Sequence, residues 1–287
     1  MTAEDSPVPL GVSSIFHPSD FSEASEVAFG HALKLALLAK SRLTVMHVFQ
    51  NSEENWDQFP GVRELLIRWK LIPEGSPRSA VTDLGIQVSK VAGEGRNPIP
   101  ACLAYLADRP CDLIVLAVRQ NEGRMRWFAR SVGEPIAQGS GEMTLFLPHG
   151  VPGFVSMENG SIHLESILIP IAVKPSSQPS INAINRFLQH LNIKGGTVRL
   201  LHVGPSENVP PLDLPAESGW DWIQEDAMGN PAQVILQRAK EVSADLIVMT
   251  TDGPEGFLDG LRGTTSERVL RQANCPILNI PVGSLFG

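Results

Sequence analysis

Cysteine is scarce in this chain, tyrosine occurs once, and no unbroken apolar run approaches the roughly 20 residues of a membrane helix. The three cysteines, Cys102, Cys111 and Cys275, form no CxxC pair and no disulfide framework, which points to reduced thiols in a cytosolic protein. A basic surplus is missing too. Against 31 Asp and Glu stand 23 Lys and Arg, a formal net charge of −8, whereas a surface for nucleic acid or anionic membrane calls for a basic stripe. The opening MTAEDSPVPLG is acidic and proline-containing, unlike a signal or transit peptide, so a cytoplasmic location is expected. There is no Walker lysine, no G-x-S-x-G and no S-G-G-x-D-S pyrophosphatase loop. With no placed base or nucleophile, neither a catalytic residue nor efficient turnover is expected.

What is present is ordinary globular material: 43% apolar and 19% charged residues over 287 positions, enough for two domains with separate cores. Short apolar runs alternate with helical patterns. SSIFH (13–17), LTVMHV (43–48), a stretch within 86–91, DLIVLA (112–117) and 143–147 read as strands. Residues 24–40, 61–70, about 98–108 and a segment from about 131 read as helices. After a linker at 149–163 the pattern restarts, with strands at 166–171, 197–203, 246–249 and 276–280. Such alternation implies an α/β fold with doubly wound parallel sheets.

The restart is a repeat. Residues 97–148 align without a gap on 230–281 at a shift of 133: Asn-Pro, Asp-Leu-Ile-Val and the closing Leu-x-x-Pro all coincide. Upstream, His47 matches His202 at a shift of 155, so the second copy is shorter by 22 residues, where the first has its 61–70 helix. Two domains are expected at 1–150 and 160–287, the second with that helix missing. Trp220 and Trp222 alternate on its third strand, so both face one side and should cover apolar surface that the helix leaves bare.

The most informative stretch is DLIVMTTDGPEGFLDGLRGTTSERVLRQANCPILNIP (245–281). A buried strand is followed by a loop with Gly253, Gly256, Gly260 and Gly263. Thr264 and Thr265 then stand where a helix N-cap belongs, and Glu267 three residues after Thr264 completes a capping box. Strand, glycine loop and helix N-terminus together make a ready anion site.

Thr250-x2-Gly253-x9-Gly263-Thr264 resembles the G-x2-G-x9-G-[S/T] phosphate loop of the universal stress protein (UspA) family, departing from it at Thr250. The flanking DLIVM and SERVLRQANCPIL, and in the first half PSDFSEASEVAFGHALKLA and TVMHV, are similar to the same family. The resemblance covers nearly the whole chain, as a tandem two-domain member. It implies two five-stranded doubly wound sheets of flavodoxin/Rossmann type (adenine nucleotide alpha hydrolase-like), taken here in flavodoxin-like order. The halves are expected to pair through their last strands as a pseudo-two-fold intramolecular dimer; association of whole chains into a homo-oligomer is compatible with it.

In the family the aspartate after the first strand contacts the adenosine end, and the glycine loop with its Ser/Thr takes the phosphates. The two halves divide these features. The first keeps Asp20 but has Ala117, Gln120 and Arg130 at the glycine positions, with Ser131 at the hydroxyl position. Side chains there deny phosphate a close backbone approach. The second keeps Gly253, Gly263, Thr264 and Thr265 but has Ala172 in place of Asp20, and its loop carries Asp252, Glu255 and Asp259. Carboxylates beside a polyphosphate call for a divalent cation. The resemblance therefore implies weak binding of ATP with Mg²⁺ through Thr250, Gly253, Gly263, Thr264 and Thr265, in a stress-response sensor or binding module. The alternative is a nucleotide-independent interaction scaffold with both sites decayed. His47 and His202 end equivalent strands without a surrounding ligand set, so they are expected as core or pocket-wall residues and not as metal ligands.

Overall fold

In the computed structural model the described residues are 11–49, 56–95, 97–118, 133–191, 195–216, 219–252 and 264–284. The first half runs β1 (Ser14–Pro18), α1 (Glu23–Ala39), β2 (Arg42–Val48), α2 (Val62–Arg68), α3 (Ser79–Asp83), β3 (Gln87–Gly93), α4 (Pro98–Asp108), β4 (Leu113–Val118), α5 (Gly133–Ser140) and β5 (Thr144–Pro148). The second runs β6 (Ser166–Ile171), α6 (Gln178–Leu191), β7 (Thr197–Val203), β8 (Asp221–Ala227), α7 (Pro231–Glu241), β9 (Leu246–Thr251), α8 (Thr265–Gln272) and β10 (Ile277–Pro281). Between β7 and β8 the described residues hold only a short 3-10 turn, Ser206–Asn208.

Local chemistry explains the boundaries, and it repeats. Ser22 Oγ accepts from the N–H of Ser25 at the start of α1, and Lys40 closes that helix in the left-handed conformation (φ 52). Asn97 and Asn230 cap α4 and α7 through their side chains, each followed by proline in the first turn. Asp112 Oδ2 takes the N–H of Ser13 at 2.7 Å and of Ser14 at 2.8 Å; Asp245 Oδ2 takes those of Glu165 at 2.8 Å and Ser166 at 2.9 Å. Each carboxylate ties the start of one strand to the start of its neighbour.

The two five-stranded sheets join into one ten-stranded sheet, ordered β3-β2-β1-β4-β5-β10-β9-β6-β7-β8. All neighbours are parallel except β5 and β10, which pair antiparallel as Ile277↔Phe146, Leu278↔Leu145 and Asn279↔Thr144. With the repeat shift of 133, Ile277 is the counterpart of Thr144 and Asn279 of Phe146, so the pairing maps onto itself about Leu145 and Leu278. That is a pseudo-two-fold axis, and the intramolecular dimer expected from the resemblance. The order within each half, 3-2-1-4-5, follows the Rossmann sheet without its sixth strand and corrects the flavodoxin-like order. Alternation of strands and helices fixes parallel pairing but not the lateral position of β3.

Central strands are buried on both faces, and alternate side chains feed two cores. Ile15, Val115 and Val248 join α1, α2 and α6 on one face; Phe16, Leu116 and Ile247 join α4, α5, α7 and α8 on the other. Each such fully buried side chain contributes roughly 1.5–3 kcal/mol before the entropy cost. Trp220, buried, and Trp222, half-buried, pack on the α6 face beside Val209 and Leu212 from the β7–β8 loop.

The segment 149–163 is packed against the first half. His31 on α1 donates from Nδ1 to the Val27 carbonyl (2.8 Å) and accepts at Nε2 from the N–H groups of Phe154 (3.0 Å) and Val155 (3.1 Å). Trp69 donates to the Met157 carbonyl at 3.3 Å, and Val155 forms an isolated bridge with Ile162. Burial holds the His31 ring neutral, its pKa lowered to about 4. Among the described residues no helix is long and apolar enough to cross a membrane.

Candidate functional site

In an open α/β sheet, ligands lie beyond the carboxyl ends of the strands where the winding reverses. Here the reversals fall between β1 and β4, and between β6 and β9.

At the second, β9 ends in Thr250 and Thr251. The Thr250 hydroxyl is 2.6 Å from Ser180 Oγ on α6, so it fastens that helix to the strand. Thr251 turns to the opposite face, where its buried Oγ1 has no hydrogen-bond partner among the described residues. It lines a small cavity of about 30 Å³ at the seam, with Glu134, Ser266, Glu267 and Asn279. Gly253 and Gly263 lie outside the described residues, as do Glu255 and Asp259. Beyond them Thr264 is extended (φ −66, ψ 160) and its Oγ1 accepts the N–H of Glu267 at 3.3 Å. Thr265 opens α8, whose first turn presents main-chain N–H groups and the positive end of the helix dipole. Glu267 sits in that first turn and pairs with Arg271 at 2.5 Å; Arg271 also reaches Glu134 of α5 at 3.9 Å.

Beyond β6, Ala172 offers no carboxylate; its N–H donates to Ser177 Oγ at 3.0 Å. At the end of β7, His202 is buried and neither ring nitrogen has a hydrogen-bond partner among the described residues. A buried polar group left unpaired costs about 1–3 kcal/mol. Among the described residues the second half thus carries three orphaned polar side chains at its carboxyl edge, Thr251, His202 and Ser284, and neither Thr251 nor the unpaired state of His202 is visible in the sequence.

The first half differs. Asp20 Oδ1 accepts the N–H of Ser22 at 3.0 Å and its Oγ at 2.5 Å, an Asx turn that leads into α1. His47 is satisfied: its Nδ1 donates to the Ser19 carbonyl at 2.6 Å and its ring stacks on Phe21 (3.8 Å, 21°). Phe21 holds a left-handed backbone (φ 58) to do so. His17, on β1, donates from Nδ1 to the Val115 carbonyl (2.8 Å) and faces Ser25 Oγ at 3.4 Å; burial lowers its pKa to about 4. Ala117 lies on β4, while Gln120, Arg130 and Ser131 lie outside the described residues.

Other reactive groups are subdued. Burial pushes the Cys102 and Cys275 thiols up to about 12 and raises Cys111 as well, so none is a ready thiolate. Among the described residues no three His, Cys, Asp or Glu cluster as a metal site.

A family model described as the universal stress protein family matches residues 13–147 and 221–281. A universal stress protein of Methanocaldococcus jannaschii is 33% identical in an alignment covering 24% of this chain and 56% of that relative, so the chain spans little more than half the relative's length. Among solved structures, a universal stress protein from Archaeoglobus fulgidus superposes on 95% of this chain and 100% of its own, with a TM-score of 0.62 at 15% identity. A putative universal stress protein from Pseudomonas aeruginosa covers 95% of this chain and 94% of its own (TM-score 0.57, 13% identity). At these identities the two structures speak to fold.

Proposed function

The chain belongs to the universal stress protein family, and we propose that it is a non-catalytic, ligand-responsive member whose second half, residues 160–287, binds ATP or a similar adenine nucleotide weakly. Residues 1–150 form its companion unit, with a degenerate loop. Gly253 and Gly263 let the backbone approach the phosphates, the N-terminus of α8 receives their charge, and the hydroxyls of Thr264 and Thr265 donate to their oxygens. Thr250 shapes the strand end from which the loop departs. Asp252 and Glu267 oppose a polyphosphate, so Mg²⁺ accompanies it. Work in the cytoplasm as a stress-response sensor follows the same reading.

The observation that carries this reading is the run from β9 to α8: a strand end at the winding reversal, followed by a threonine-capped helix of 8 residues. The orphaned Thr251 hydroxyl and His202 ring at the same edge add support. Turnover is left out because the buried histidines His17 and His31 are held neutral and engaged with the main chain.

A second reading, a scaffold that needs no nucleotide, draws on Ala172 and on the Thr250 hydroxyl being spent on Ser180. Two measurements separate them. Denaturing extraction of freshly purified protein identifies any nucleotide carried along, and calorimetric titration with ATP and Mg²⁺ measures binding directly. A co-purified adenine nucleotide or a saturable heat supports the first reading; neither signal leaves the scaffold.

A further inference from the structure

At the opposite edge of the sheet, where β1, β2 and β3 begin, we infer a separate binding site for a phosphate-type oxyanion in the first half. A cavity of about 370 Å³ opens there, lined by Ser13, Lys40, Ser41, Arg42, Gly85 and Gln87 among others, with two cations and no carboxylate in its wall. The nearby Asp112 is spent on Ser13 and Ser14.

The two cations are in place for an anion. Ser41 stands in the wall between them but is 3% exposed, with its Oγ buried behind the surface and without a hydrogen-bond partner among the described residues, so the anion is left to Lys40 and Arg42. Lys40 is held by its left-handed backbone (φ 52) and by a 2.9 Å bond from Nζ to the Leu84 carbonyl, which leaves two ammonium N–H groups. Gly85 (φ +82) makes room for it: a Cβ there would lie 2.9 Å from Lys40 Cδ. Arg42 is exposed and has no ion pair among the described residues, so its guanidinium fork is available to an oxyanion.

The repeat supplies an internal control. Ser14↔Arg42↔Gln87 in the first half matches Ser166↔Thr197↔Asp221 in the second. By that register Gly195, Gly196 and Thr197 replace Lys40, Ser41 and Arg42, Asp221 replaces Gln87, and Trp220 replaces Ile86. A Cβ on Gly196 would lie 2.5 Å from the Trp220 ring, so the indole closes the corresponding space. In the first half the smaller Ile86 stands there beside the Ser41 side chain, and the two cations Lys40 and Arg42 take the places of Gly195 and Thr197. The occupant is a phosphate, free or as the ester of a small polar molecule, and the site stands independently of any nucleotide at the other edge.

Inorganic phosphate is the probe, titrated calorimetrically at low salt into the parent, Arg42→Gln, and Lys40→Asn with Arg42→Gln. Asn tolerates the left-handed backbone at position 40, and thermal unfolding checks that both variants fold. Loss of a charge-assisted bond predicts about tenfold weaker uptake, or more, in Arg42→Gln, and loss of this site in the double variant. Gly263→Asp, altered at the other edge, should retain it. No phosphate uptake by the parent, uptake unchanged in the folded double variant, or uptake abolished by Gly263→Asp would each overturn the assignment.

Discussion

The two halves share a skeleton and differ in where they leave polar groups unsatisfied. In the first, the carboxyl edge is self-contained: Asp20 serves an Asx turn, His47 bonds Ser19 and stacks on Phe21, and His17 bonds Val115. In the second, His202 and Thr251 are buried at that edge without partners among the described residues. At the amino edge the roles reverse, with an open basic cavity beside Ser41 and a tryptophan-filled space beside Gly196. Duplication preserves what the sheet needs, such as Asp112 with Asp245 and Asn97 with Asn230. Ligand surfaces are free to diverge because few packing contacts depend on them.

The strongest way to break the comparison is to attack what the halves hold in common. Leu278 and Leu145 face each other at the pseudo-two-fold axis, 7% and 2% exposed. Leu278→Asp places an unpaired charge there and should cost about 4 kcal/mol or more. Urea unfolding would show it as a fall in midpoint, and an unchanged midpoint would mean that the seam contributes little.

A second effect belongs to the first half alone. His17 and His31 are held at about 4 against an ordinary 6.5, so as pH falls the unfolded chain takes up their protons first. Their contribution is complete above about pH 6.5 and is lost on descending towards 4. By pH 5 the loss is roughly 2 kcal/mol per ring. Unfolding midpoints that stay flat from pH 7 to 5 would contradict this. Because His31 fastens residues 154 and 155, proteolysis near that segment should rise over the same interval.

These two effects also mark where sequence reading stops. The strand positions and the repeat are legible because each depends on residues close in sequence or on the repeat itself, while the pairing of the last strands follows from the family resemblance. The docking of residues 149–163 is not, since a polar, glycine-bearing stretch reads as a linker until α1 brings His31 to Phe154. The amino-edge cavity gathers Ser13, Lys40, Arg42 and Gln87 from segments up to 74 positions apart, and no local pattern announces that. Thr250 begins the loop motif in the sequence, yet its hydroxyl is bound to Ser180, 70 positions away. Thr251 next to it, with an Oγ1 unsatisfied among the described residues, cannot be told from it in a strand ending Met-Thr-Thr.

A smaller effect sharpens the assignment of α8. Thr264→Ala removes the cap on the Glu267 N–H and should destabilise the protein by about 1 kcal/mol. Any bound nucleotide would be weakened further through loss of the hydroxyl, so the variant's drop in unfolding temperature should grow when ATP and Mg²⁺ are present. An equal drop with and without ligand would reduce Thr264 to a helix cap.

The central claim is that ligand binding has passed to the half that lost the aspartate and kept the glycines. Titration of ATP with Mg²⁺ into the parent, Asp20→Ala and Gly263→Asp tests it most directly. Equal modest affinity in the parent and Asp20→Ala, with binding lost in Gly263→Asp, is the predicted result. Binding that survives Gly263→Asp and falls in Asp20→Ala would contradict it and return the site to the first half.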